Sequence, residues 1–526
     1  MNIYEYCKMP IRIAYFGFIL IAFGFLIQNE SVNIFYTFTN TFLLMFAEGC
    51  LTLGKTIILN LPLIFMIYLV CKKANSGVPI VLALLGYFAF LITTSLFASQ
   101  TLSSYAYTNN LGINSIVTLS GTTRYPLETG MLGSFIVAYI SRYSFIRSRH
   151  RTSHSVLGFL NRDSAAIVYN IVFCTIAGIL ASYIFPVLYT YLSELIVYIS
   201  KDLADPLRIA IYGVLDRSLS ILGLGNFIRN PFWYTVLGGS YQTIAGQSIV
   251  GDVNIWAYIK DIVTTYSGCG RFITPYYVIN IFICPAMYFG ILSSISDKQE
   301  RNRFIGPIIM ASLLSIIAGN PLPLELVLLF TCPLLLLLYL LIVGAVFGYM
   351  TLAGIFLGSN IANASSAITA MPGNFPDLII NLRSVFHYDA LLSILLVGAV
   401  AALICYCLTY IYFHFLTFRL VNSTKDDAII NETVEAIGGY DNIENVGSGL
   451  FRVNFSLIDN EKIDIDKLKT LGLNKIAETK NGTSIEFGSS SYIIAKTVKN
   501  VLKEFGRSVW QKFGRSVWQK KPLQIK

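Results

Sequence analysis

The sequence predicts a polytopic α-helical membrane protein that ends in a small, water-facing α/β domain. Three observations carry this reading. Of 526 residues, 55% are hydrophobic and only 13% charged, against roughly 25% charged in an ordinary soluble domain. The apolar residues gather in runs long enough to enter lipid. The charges crowd into short loops and into the stretch after Lys425, so the composition shifts there from lipid-facing to water-facing.

The apolar runs are Ile11–Ile27, Val32–Phe46, Ile57–Val70, Val78–Phe97, Met131–Ile140, Ala165–Ile199, Tyr276–Ile295, Phe304–Ile317, Leu324–Phe356 and Ala390–Phe418. A helix needs about 20 apolar residues to cross the hydrocarbon core. Some runs are shorter and others are long enough for two passes, so about eight to eleven spans are expected. Ile11–Ile27 lacks a small-residue cleavage site and reads as a retained span. Lys8, Lys55, Lys72, Lys73 and Arg142 do not alternate cleanly between two sides, so at least one segment is expected to re-enter or to lie in the interface. The Gly/Pro-interrupted stretches Gly223–Tyr234 and Ala318–Pro333 are the candidates. Broken backbone at membrane depth is tolerated only inside protein or beside a water-filled cavity, and in transporters such breaks point to the solute site.

The net charge is +9, which fits Lys and Arg collecting in cytoplasmic loops. The best loop candidate runs from Arg142 to Arg162 and holds Arg147, Arg149, His150, Arg151 and His154. No nucleic-acid recognition fold accompanies it, and no nucleic-acid partner is expected. Nine cysteines occur: Cys7, Cys50, Cys71, Cys174, Cys269, Cys284, Cys332, Cys405 and Cys407. They lack zinc-ligand spacing, and most lie in apolar runs as small hydrophobes. His387 and His414 have no partner at metal spacing, and no Walker loop or dinucleotide fingerprint is present, so neither metal nor cofactor is expected.

Beyond Asn422 the pattern is that of a compact α/β module of roughly 80 residues, within the range of an independent domain. Thr433–Gly439 reads as a helix end closed by glycine, Leu450–Leu457 as an alternating strand, Asp466–Leu471 as a short helix, Ser484–Phe487 as a brief strand and Tyr492–Phe505 as a terminal helix. Asn481-Gly482-Thr483 fits a glycosylation sequon and reads here as a turn. The segment FGRSVWQK occurs twice in tandem, over Phe505–Lys512 and Phe513–Lys520. It is too short for a solenoid unit and reads as a duplication in a tolerant tail, with contact to the anionic membrane surface as the alternative.

Several segments, in order, resemble the membrane subunit of phosphotransferase-system sugar permeases of the glucose, N-acetylglucosamine and maltose branch. Asn60-Leu61-Pro62-Leu63-Ile64-Phe65 is similar to N-L-P-x-I-F, with Gly86-Tyr87 following. Glu128-Thr129-Gly130 resembles the D-T-G helix start, and Leu157-Gly158-Phe159 the L-G-F-F loop. Tyr212-Gly213-Val214-Leu215-Asp216-Arg217 resembles Y-G-x-L-N-R, Asn230-Pro231-Phe232-Trp233-Tyr234 resembles x-P-F-W, and Gly251-Asp252 the following G-D. The appended module resembles the B domain of the family: Ile437-Gly438-Gly439-Tyr440-Asp441-Asn442-Ile443-Glu444-Asn445-Val446 is similar to L-G-G-x-x-N-I-x-x-V. The resemblance implies a permease body over residues 1–422, a B-like domain over 425–505 and a basic tail over 506–526. It also implies a homodimer in the bacterial cytoplasmic membrane, in contact with lipid, with the C-terminal domain cytoplasmic. In such a device a phosphocysteine on the B domain, loaded by other phosphotransfer proteins, phosphorylates the sugar that the membrane body carries across.

The sequence departs from the pattern where that chemistry would occur. The phosphocysteine position of N-V-x-x-C-x-x-R-x-R holds Gly449, Arg452 retains the first arginine, and Asn454 replaces the second. Glycine offers no nucleophile, and the last cysteine is Cys407. No catalytic residue is therefore assigned. In the membrane body, G-L-H-H-I is replaced by Gly223-Leu224-Gly225-Asn226-Phe227, and in G-I-T-E-P-I-E-F the first Glu becomes Leu322 while the second survives as Glu325. Hydrogen bonds of sugar hydroxyls to charged groups are worth about 1.5–3 kcal/mol each, so the usual hexoses are not expected to bind in the usual way.

The substrate-binding candidates are Asn226, Arg229, Gln242, Asn320, Leu322 and Glu325, with Gln247 a further amide nearby. Amides donate and accept at once and suit sugars. Arg229 and Glu325 read either as a structural pair joining the two breaks or as part of a pocket for a different ligand. The expected function is uptake of a hexose, amino sugar or related solute, with phosphate supplied by a separate donor chain. The alternatives are a transport-inactive sensor or scaffold and an uncoupled facilitator.

Overall fold

The apolar runs form helices in the computed structural model, which describes residues 3–28, 40–71, 77–102, 106–107, 116–117, 121–149, 162–243, 246–259, 268–295, 298–359, 373–381, 388–415, 424–448, 452–471, 473, 476–479, 482–487, 494–495, 498–499 and 501–502. The Leu157–Phe159 loop, Gly449, Asn481, His387 and the duplicated tail lie outside the described residues. The chain divides into two compact units. One comprises Ile3–Phe289 with Ile305–Tyr406, the other Gly290–Phe304 with Cys407–Lys526.

In the first unit α1 is Ile3–Gln28, α2 Thr41–Leu59, α3 Leu61–Cys71 and α4 Val78–Phe97. The short strands β1 (Ile116–Val117) and β2 (Thr123–Arg124) precede α5 (Gly130–Arg149), α6 (Arg162–Ser200), α7 (Pro206–Ile221) and α8 (Gly225–Tyr234). A hairpin of β3 (Ser240–Gln242) and β4 (Ser248–Val250) leads into α9 (Asp252–Ile259). Then come α10 (Thr274–Tyr277), a π-type turn over Val278–Ile283, α11 (Cys284–Ser294), α12 (Lys298–Ala318), α13 (Leu322–Thr331), α14 (Pro333–Leu352), α15 (Phe375–Asn381) and α16 (Tyr388–Phe415), of which the end of α11, the start of α12 and the end of α16 fall in the second unit.

Among the described residues, seven helices are long and apolar enough to cross a membrane: Met9–Gln28, Thr41–Leu59, Val78–Phe97, Asp163–Ser200, Thr274–Ser294, Pro333–Leu352 and Tyr388–His414. Two shorter apolar helices, Leu61–Cys71 and Phe304–Ala318, accompany them. The long run from Ala165 to Ile199 forms one helix and not two, continuous through Pro186. The run from Leu324 to Phe356 splits at Cys332, where the backbone leaves the helical region and Pro333 opens α14.

The two interrupted stretches become two short helices. Both α8 and α13 have 10 residues, about 15 Å of helix, half of a hydrocarbon core. Gly223 (φ 81°) separates α7 from α8, and Gly319 (φ 65°) separates α12 from α13. Side-chain-bearing residues seldom adopt such angles, so glycine sets each break. Behind the breaks, Tyr212, Phe232, Phe272 and Phe347 form one buried aromatic cluster with neighbouring ring centroids 4.7–5.6 Å apart. The Tyr212-Gly213 pair serves this packing, because a Cβ at Gly213 would sit 2.4 Å from the Phe347 ring. The cluster fixes α7 against α14 and holds the base of α8.

In the second unit α17 (Thr424–Ala436), β5 (Ile443–Ser448), β6 (Arg452–Leu457), α18 (Ile465–Thr470), β7 (Ile476–Thr479) and β8 (Gly482–Glu486) build a four-stranded antiparallel sheet of order β5-β6-β8-β7. β6 alternates as predicted, with Val453, Phe455 and Leu457 buried against Ile430, Val434, Ile437, Val446, Leu468 and Ile485. The glycine-closed helix end is present, with Gly438 and Gly439 at φ 97° and 86°. Asn442 then ties the turn: Nδ2 donates to Ile437 O and Asp459 O, and Oδ1 accepts from Asp459 N. The mostly helical body and the small C-terminal sheet agree with the fold class read from the sequence.

Candidate functional site

Chain breaks meet beside a cavity of about 160 Å³ in the first unit. Its polar lining is Glu128, Arg217, Ser220, Asn226, Arg229, Tyr276 and Asn320. Its apolar lining comprises Ile58, Leu59, Leu61, Pro62, Met131, Pro321 and Leu322. The breaks create the space and the breaks supply the polar groups. The Leu222 carbonyl, freed at the end of α7, accepts from Met131 N at 2.9 Å and so joins the α5 start to the α7–α8 turn. Asn320 Oδ1 accepts from Leu322 N at 2.9 Å, a local side-chain turn that leads into α13.

A buried ionic network backs the cavity. Arg217 Nε and Nη2 donate to Glu325 Oε1 and Oε2 at 2.8 and 2.7 Å, a two-point pair. Tyr339 also donates to Glu325 Oε1 at 2.8 Å. One residue earlier on α7, Asp216 accepts from Arg229 Nε at 2.5 Å and from the Tyr276 hydroxyl. Arg229 Nη2 reaches Ser220 Oγ at 2.6 Å, and Arg217 Nη1 lies 3.7 Å from Asp216 Oδ2. Asp216 and Glu325 are fully buried, whereas the Arg229 side chain keeps 17% exposure. Two carboxylates and two guanidinium groups cancel, which is the condition for holding charge away from water.

The structure brings Asn226, Arg229, Asn320 and Leu322 to the cavity. It does not bring Gln242 there. Gln242 pairs with Ser248 in the β3–β4 hairpin and is exposed, as is Gln247. Glu325 does not line the cavity either. Both its oxygens are committed behind the wall, and it reaches the cavity only through Arg217. The expected pairing of Arg229 with Glu325 is corrected in the same way: Arg229 pairs with Asp216, and Glu325 with Arg217. The geometric reason is that Asp216 and Arg217, adjacent on α7, take partners on different elements.

Sequence reasoning did not select Glu128, Arg217, Ser220 or Tyr276 as site residues. The usable signal was the ionisable groups within the quoted motifs, since Glu128, Asp216 and Arg217 all lie in them. Among the described residues, Gly449 has no placement, and Arg452 is exposed at the start of β6, opposite Glu486.

The cavity lining combines guanidinium, amide, hydroxyl and carboxylate groups with apolar side chains. A bundle of membrane-length helices with two half-length helices around an internal polar cavity defines the class of a membrane solute permease. The family model for the phosphotransferase system EIIC domain matches residues 8–344, more than half of the chain. The protein belongs to this family, the membrane-integral sugar permeases of the phosphotransferase system.

Proposed function

We propose that the chain carries a hexose, amino sugar or related solute across the bacterial cytoplasmic membrane, binding it in the α8–α13 cavity. The observation that carries this reading is that four candidates taken from the breaks, Asn226, Arg229, Asn320 and Leu322, line one cavity. Arg229 presents its remaining N–H groups to the solute, Asn226 and Asn320 donate and accept, and Leu322 packs on the apolar face of the sugar. Residues 1–422 act as the permease body, working as a homodimer. Residues 425–505 act as a B-like domain that keeps a fold and carries no phosphate, because residue 449 is glycine. The phosphoryl group then comes from a separate, cysteine-bearing B domain.

Uptake into proteoliposomes tests this. Sugar phosphate is expected to accumulate only when a complete donor B domain and its upstream phosphotransfer proteins are added. Gly449→Cys in this chain is expected to restore nothing by itself, since Asn454 still replaces the second arginine of the phosphate cradle. No transfer to any hexose or amino sugar with a complete donor would overturn the transport reading. The departures at Leu322 and Gly449 together favour a second reading, a sensor that binds sugar without moving it, and that outcome would show as binding with no flux.

A further inference from the structure

A further buried carboxyl lies away from the cavity lining and its ionic network, at the start of α9. Asp252 is 2% exposed. Its Oδ1 accepts from Gly270 N at 2.8 Å, and its main-chain oxygen accepts from Cys269 Sγ. Its Oδ2 is buried and has no hydrogen-bond partner. The turn it grips is geometrically demanding. Gly270 has φ 91°, and a Cβ there would meet Gly358 N at 2.5 Å. The grip continues toward the cavity through the Gly270 carbonyl, which accepts from Thr274 N and Thr274 Oγ1, both at 2.8 Å. Leu357 N donates to Thr274 Oγ1 at 2.7 Å. Thr274 opens α10, whose Tyr276 lines the cavity and holds the Asp216 carboxylate that pins Arg229.

We propose that Asp252 is a proton-dependent positioning residue: its neutral carboxyl seats the 268–272 turn, and its ionisation displaces that turn and, through α10, the Arg229 wall of the cavity. An ionised Oδ2 without a donor is costly in a dry site, and a proton on Oδ2 removes that cost while Oδ1 still accepts from Gly270. Burial pushes the Asp252 carboxyl up to about 7 against the opposing pull of the Gly270 and Phe272 N–H groups and the Arg271 guanidinium, so the two forms exchange in the physiological range. Among the described residues, the titratable and charged groups that face it are the Cys269 thiol and the Arg271 guanidinium, both on the turn. Burial pushes the Cys269 thiol up, which keeps it protonated. Arg271 stays charged throughout and lies 5.0 Å from the Phe356 ring centroid.

The sign follows from linkage. The folded value lies above the unfolded value of about 3.9, so the native state holds a proton that the unfolded chain has lost. Stability therefore falls as pH rises from the unfolded value to about 7 and then levels.

The test needs no sugar, so its failure is distinct from failure of the proposed transport. The full chain in mild detergent carries Trp510→Phe and Trp518→Phe, leaving Trp256 beside Asp252 on α9 and Trp233 beside Arg229 on α8. Fluorescence is titrated from pH 5.5 to 8.5 with either remaining tryptophan also replaced by Phe. Both tryptophans are expected to shift with one shared midpoint near pH 7, and Asp252→Asn, which keeps the Oδ1 acceptor, is expected to abolish both shifts. The melting temperature should fall with pH below 7 in the parent and lose that slope in Asp252→Asn. A transition that persists in Asp252→Asn, or a Trp256 shift with Trp233 unmoved, overturns the proposal, as does a parent with no transition.

Discussion

Glu325→Leu is expected to be among the most damaging single substitutions in the membrane body, costing about 3–5 kcal/mol. The carboxylate is fully buried and takes three hydrogen bonds, two from Arg217 and one from Tyr339. Removing it leaves the Arg217 guanidinium buried beside a single shared carboxylate, Asp216, already committed to Arg229 and Tyr276. Replacing both partners, Arg217→Met with Glu325→Leu, should recover most of the stability, because a neutral pair leaves no uncompensated charge. Yield of folded protein in the membrane and the denaturation midpoint in detergent read this directly. A Glu325→Leu protein that denatures at the parent midpoint would show that the network does not hold the two breaks together.

Arg229→Gln is expected to weaken binding of the best-bound sugar roughly 10- to 100-fold. A hydrogen bond to a charged group is worth about 1.5–3 kcal/mol, and each 1.4 kcal/mol is about tenfold. The same substitution strips Asp216 of its principal partner, so a loss of stability accompanies the loss of affinity. The two effects separate in the double variant Asp216→Asn with Arg229→Gln, which removes the orphaned carboxylate. Stability should return toward the parent in that variant while sugar affinity stays low. Equilibrium binding across a panel of hexoses, amino sugars and polyols, measured beside thermal denaturation, distinguishes them. Affinity that returned together with stability would assign Arg229 to structure alone.

Much of the fold was legible because lipid imposes long apolar runs and because glycine and proline mark where a helix must stop. Gly223 and Gly319 gave the two breaks, and the breaks gave Asn226, Arg229, Asn320 and Leu322. Pairings across the fold were not legible. Residue spacing cannot tell which arginine meets Glu325 when the partner is on another helix, and adjacent Asp216 and Arg217 divide between two partners. Gln242 lies close to α8 in sequence, but the hairpin register leaves it exposed. In the C-terminal unit, β6 announced itself by alternation and β8 as a brief strand, whereas β5 and β7 did not. They are the two edge strands of the sheet, paired on one side only, and their sequences carry little apolar alternation.

The α8–α13 cavity is where the sugar is expected to sit. Single-particle cryo-electron microscopy of the full chain with saturating sugar measures this most directly. The expected result is ligand density in that cavity, with Arg229 and Asn320 in hydrogen-bonding range and Leu322 against the sugar face. Sugar density elsewhere in the membrane body, with this cavity empty, would contradict it.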